Sequence, residues 1–147
     1  MSEEALRDDF PTCPVDGSAL DPTEDGSRHC CGTCKGVQIS EPSVIALLGE
    51  IVEEKAPKTL VFEPPKEAEP IRTCPHCATQ MSKHVLYTIQ IDRCEAHGLW
   101  FDGEELARVL ERASVEGMRA KKIKDVIVGS VVSVAYIGFV LAQLLYR

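Results

Sequence analysis

Two short motifs in the second half of the chain carry most of the chemistry: Cys74-Pro-His-Cys77 and Cys94-Glu-Ala-His97, separated by 16 residues. A C-x2-C or C-x2-H knuckle supplies two ligand atoms from one tight turn, and its backbone N–H groups turn toward the sulfurs. Two such turns brought together by a hairpin complete a tetrahedron. Three thiolates and one imidazole are soft to borderline donors that fill every position, which points to structural zinc rather than an open catalytic metal; iron is the lesser alternative. Cys74, Cys77, Cys94 and His97 are therefore the first candidate zinc ligands.

The first half holds a weaker version. Cys31-Gly-Thr-Cys34 is a sound knuckle, but its partner reads Cys13-Pro-Val-Asp16, with Asp where Cys77 stands in the other copy. A carboxylate can bind zinc, so Cys13, Asp16, Cys31 and Cys34 form a second candidate site. His29 or Cys30 is the alternative to Asp16, and a site that has lost its metal is the third possibility. One or two zinc ions are thus expected. His76 and His84 read as surface or strand residues rather than ligands, and Trp100 and Phe101 as cover for the metal core.

These ligands sit in a chain with little else to hold it. Only 5% of the 147 residues are aromatic, with one Trp, and the longest apolar run lies at 126–146. About 120 short, Pro- and Gly-punctuated residues bury too little to fold firmly without a disulfide or a metal. Seven cysteines suit a disulfide framework poorly, and Met1–Asp9 has no basic, apolar leader, so a reducing compartment with thiolates on metal is expected.

The elements that must position the ligands follow from pattern. Residues 1–12 read as a polar tail. Residues 13–54 form the first cysteine block and a helix, with Val44, Leu47, Leu48 and Ile51 on one face, Ser40 or Ser43 as its cap and Pro42 in its first turn. Residues 55–73, with four prolines, read as a linker containing a short extended piece at Thr59–Phe62. Residues 74–113 form the second block; His84–Ile91 alternates as a strand does, and Asp102 with Glu105 forms a capping-box pair ahead of the stripe Leu106, Val109, Leu110 and Ala113. The halves repeat, at 63 residues for the metal pairs and 62 for the apolar residues after them. The fold class expected is a small metal-stabilised α+β protein: two hairpin modules, each followed by a helix.

The run Cys-Pro-x-Cys, a 16-residue gap, then Cys-x-x-His-Gly-Leu-Trp-Phe-Asp-x-x-Glu-Leu106 resembles the transcription factor IIB-type zinc ribbon. Cys34-Lys-Gly-Val-Gln-Ile-Ser40 is a degenerate copy, with Gln38 and Ser40 where the motif has Trp and Asp. The resemblance spans about residues 13–54 and 74–113 and implies two β-hairpin knuckles around one metal. Transcription is not implied, because such ribbons serve nucleic-acid, protein and structural roles.

Charge and hydropathy set the remaining expectations. Residues 1–56 carry 12 acids against 4 bases, and 57–118 carry 10 against 7, which disfavours a nucleic-acid partner. The bases gather at Arg119, Lys121, Lys122 and Lys124 in a juxtamembrane segment, 114–125, before 21 uncharged residues, 126–146. At about 1.5 Å per residue that run spans a hydrocarbon core. The positive-inside rule then places the modules in the cytoplasm, on a single-pass protein with a C-terminal anchor in the lipid bilayer. Gly129-x-x-x-Ser133 and Gly138-x-x-x-Ala142 are small-residue pairs compatible with self-association. No nucleophile–base pair or phosphate-binding loop is evident, so a non-enzymatic module is expected, its partner a cytoplasmic protein or a second copy. The alternatives are a membrane-bound nucleic-acid regulator and a redox or zinc sensor.

Overall fold

The computed structural model describes residues 10–51 and 57–125, the last nine as backbone only. In chain order the elements are β1 (Asp21–Pro22), β2 (Arg28–Cys30), β3 (Val37–Ile39), α1 (Glu41–Ile51), β4 (Ser82–Leu86), β5 (Ile89–Cys94), β6 (Gly98–Phe101) and α2 (Glu105–Asp125). Three strands and a helix are thus followed by three strands and a helix. The strands make one antiparallel sheet in the order β1-β2-β3-β6-β5-β4, so the two third strands meet at its centre. The duplication reaches the hydrogen bonds: Cys13 N–H to Ser18 O, Gly17 N–H to Cys13 O and Leu20 N–H to Pro11 O recur 61 positions later at Cys74, Ala78 and Met81.

The period of two along β3 and β6 divides the core. Ile39, Leu99 and Phe101 face both helices and pack with Val44, Leu48, Leu106, Val109, Leu110 and Ala113. On the opposite face, Gln38 lies between His29 and Trp100, and Asp92 lies beyond Trp100. There Trp100 is fully buried among Cys13, Leu20, Cys31, Cys74, Met81 and Cys94. Phe101 therefore does not cover the metal core as expected; one step along the strand turns it to the helices.

Both helices start as their sequences direct. Ser40 Oγ accepts from Ser43 N–H at 3.3 Å, so Ser40 is the cap of α1, with Pro42 in the first turn. Glu105 Oε2 accepts from Asp102 N–H at 2.8 Å, which is one half of the expected capping box of α2. Glu105 N–H bonds to the Asp102 carbonyl, and the Asp102 carboxylate turns instead to Trp100 and Arg72.

Two segments differ from expectation. His84–Ile91 is two strands, folded back at Tyr87 and Thr88, which take φ values of 48° and 71°. A two-residue hairpin turn needs positive φ at both positions, and Tyr-Thr carries none of the usual Gly or Asn signal. The 55–73 segment is more than a linker in its described part, 57–73. Glu63 and Val85 exchange both backbone hydrogen bonds, at 2.9 and 2.8 Å, so this segment borders β4, and Leu60 and Phe62 pack on the core.

No helix among the described residues is long and apolar enough to cross a membrane. The expected span at 126–146, the tail residues 1–9 and the side chains of the basic cluster lie outside the described residues.

Candidate metal centres

Each centre is assembled from two turns. In the first module Gly17 N–H and Lys35 N–H close on Cys13 O and Cys31 O at 2.9 and 3.0 Å, and in the second Ala78 N–H closes on Cys74 O at 2.9 Å. Lys35 and Ala78 accept positive φ to do so, at 64° and 57°. The folded-back amides then point at sulfur: Val15 N–H at Cys13 Sγ, Cys34 N–H at Cys31 Sγ and Gly36 N–H at Cys34 Sγ, each 3.4 Å. Such N–H···S bonds stabilise a thiolate over a thiol.

Two groups result, Cys74, Cys77, Cys94 and His97, and Cys13, Asp16, Cys31 and Cys34; within each, all ligand atoms lie within 4.8 Å of one another. In the second module Cys74 Sγ and Cys94 Sγ lie 3.5 and 3.7 Å from His97 Nδ1, and Cys77 Sγ lies 3.8 Å from Cys94 Sγ. In the first, Cys13 Sγ lies 3.5 Å from Cys34 Sγ, and Asp16 Oδ2 lies 3.4 Å from Cys31 Sγ. Bonds of about 2.3 Å to sulfur and 2.0–2.1 Å to nitrogen or oxygen give tetrahedron edges of roughly 3.5–3.8 Å. Donor type and spacing both fit one metal ion per group, and all seven thiols are free of disulfides.

The electrostatics say what an ion would supply. Burial pushes the Cys13 thiol up to about 12 and Cys74 up to about 11. Cys31 is lowered to about 7, first by the Ser18 hydroxyl, and Cys77 to about 6, first by the Thr79 hydroxyl. Each centre therefore pairs a thiol that ionises readily with one whose buried charge needs a cation to offset it. Asp16 is held near 2 by the Ser18 hydroxyl and N–H and is ionised at every physiological pH.

Trp100 joins the two centres. Its Nε1–H donates to Asp102 Oδ1 at 2.8 Å, while Asp102 Oδ2 takes Arg72 at 3.0 Å. Its ring lies so close over Gly36 that any Cβ there would overlap it.

Of the alternatives to Asp16, neither joins the first group. The His29 ring packs edge-on against His76, 5.2 Å between centroids, and Cys30 shares the opposite face of β2 with Val37. His76 also stacks on His97 at 5.0 Å, and His84 packs beside Phe62. Sequence reasoning missed Ser18 and Thr79. Their signal is a hydroxyl residue five positions after Cys13 and Cys74 alike. No family model, curated protein or solved structure matches this chain.

Proposed function

We propose that the chain is a non-enzymatic, zinc-stabilised adaptor of the zinc-ribbon type. Residues 126–146 tether it to a membrane, with the ribbons in the cytoplasm, and its first module docks a protein segment. Two closed four-ligand groups support zinc in a structural role.

One observation carries the docking reading. Beneath α2 the second hairpin is apolar, and Leu86 and Ile91 are each about 1% exposed there. Asp25 and Arg28 hold the corresponding places in the first hairpin. A groove of about 860 Å³ therefore stays open beside α1, lined by Pro22, Asp25, Ile39, Ala46, Leu47 and Glu50. Ile39, Ala46 and Leu47 form its apolar part, among polar residues that include Ser43 and Arg28. Its edge carries exposed Asp25 and Glu50, and Asp25 is held near 2, first by the Thr23 hydroxyl. The matching occupant is a segment with an apolar anchor among bases, the composition of this chain's own 118–124, Met-Arg-Ala-Lys-Lys-Ile-Lys. A second copy is therefore the partner proposed.

The test uses full-length protein in detergent micelles and a labelled peptide of residues 117–125. Saturable binding that weakens with salt and is lost in Asp25→Lys and Glu50→Lys supports the reading. Absence of binding, or binding indifferent to both reversals, overturns it. Membrane fractionation after alkaline extraction, with and without residues 126–146, tests the tether: recovery of the intact chain in the soluble fraction rejects it.

A further inference from the structure

Between the modules lies a second cavity, of about 190 Å³, lined by His29, Ser27, Gln38, Ser43, His76 and His97 among others. Neither metal group uses its His29, His76 or Gln38.

Gln38 is only 2% exposed, and its Nε2–H donates to His97 O at 2.7 Å. That carbonyl can only accept, so the amide orientation is determined and Oε1 is the free end. Gln38 Oε1 is buried without a hydrogen-bond partner. A buried amide oxygen left so costs about 1–3 kcal/mol, and natural structures rarely leave one without a ligand, ion or water.

Two imidazoles border the same space. His29 lies opposite Gln38 in the β2–β3 register, and His76 comes from the first knuckle of the other module. Their ring centroids are 5.2 Å apart with the planes at 84°. Two imidazoles on one tetrahedral ion, each bonded at about 2.0–2.1 Å, place their centroids roughly 5 Å apart. The cavity has room for water molecules, at about 30 Å³ each, to complete the coordination.

We propose that His29, His76 and Gln38 Oε1 form a third site, for a borderline divalent cation, at the seam between the two modules. With two neutral nitrogens and one amide oxygen it binds more weakly than either thiolate group and exchanges with free metal. Occupancy ties the first hairpin to the knuckle of the second module.

The experiment titrates full-length protein, already holding the zinc its thiolates retain, with further Zn²⁺. Calorimetry is combined with imidazole ¹⁵N spectra, and thiolate-bound metal is counted separately by cobalt(II) substitution and charge-transfer absorption. Failure of the thiolate centres is thereby distinguished from failure of this site. A further equivalent that shifts the ring nitrogens of His29 and His76, and binds about 10-fold or more weakly in His29→Ala, is the expected result. The spectra need no variant, so they decide the matter even if His29→Ala folds poorly. No further equivalent, or one that leaves both rings unshifted, overturns the proposal; heat without ring shifts marks an adventitious surface ion only.

Discussion

At the scale of single residues, Asp16 makes the two centres unequal. Ser18 N–H and Oγ occupy its Oδ1, at 2.9 and 2.5 Å, leaving Oδ2 to face the sulfurs. It is thus positioned as a one-oxygen ligand whose orientation Ser18 fixes, as hydrogen-bonded carboxylates at metal sites are. Asp16→Ala is expected to lower metal retention at the first centre about 10- to 100-fold and leave the second intact. Asp16→Cys should tighten the first centre. Competition with a chromophoric chelator measures both, and equal metal loss from the two centres in Asp16→Ala would contradict the assignment. Asp16 was legible as a candidate because it stands in a ligand's place in a repeat. Its preference over His29 and Cys30 was not, since that depends on where β2 pairs. Ser18 was invisible for a similar reason: its hydroxyl reaches the centre only once the knuckle has closed.

At the scale of elements, periodicity marked both helices and their starts, because caps and apolar stripes are local. The place of the turn in the second hairpin was hidden, because nothing local marks Tyr87–Thr88 as a turn; the strands on either side impose it through Leu86 and Ile91 packed beneath the helices. Thr88 is exposed at φ 71°, where a β-branched residue is strained by about 1–2 kcal/mol. Thr88→Gly should relieve more than it costs in chain entropy, raising stability by about 0.5–1 kcal/mol in chemical denaturation. Unchanged or lower stability would show that the turn is not strained. The start of α2 adds a pH dependence. A helix first turn favours a carboxylate, yet burial lifts Glu105 from 4.5 to about 7. An acid raised on folding contributes most below its unfolded value, so stability should fall as pH rises from about 4.5 through 7. Glu105→Gln keeps an oxygen for Asp102 N–H while removing the charge. It should flatten that slope and gain about 1–2 kcal/mol at pH 8 once solvent screening is allowed for. Thermal melts across that range check it, and an unaltered slope would place its origin elsewhere.

At the scale of the whole molecule, what the repeat could not reveal is how its copies sit together. Similar modules can be strung apart or fused, and the outcome here turns on β3 meeting β6 and on one indole. Trp100 belongs to the second module by sequence. It lies against Gly36 of the first and is buried with cysteines of both centres. Removing either ion would leave buried thiols beside the same ring, so neither centre should be lost without loosening the other. Gly36→Ala tests this coupling from a residue that is no ligand. The added methyl would overlap a fully buried ring held by Asp102, at a cost of about 1–3 kcal/mol. The variant should melt at lower temperature and release metal from the second centre, in the other module, at lower chelator concentration. In the parent protein, chelator should shift the single tryptophan's fluorescence and the far-ultraviolet dichroism together. Two separated transitions, or a Gly36→Ala effect confined to the first centre, would mean that the modules share a sheet without sharing stability. Coincident transitions would mean that the two modules and their metal cores unfold as one cooperative unit.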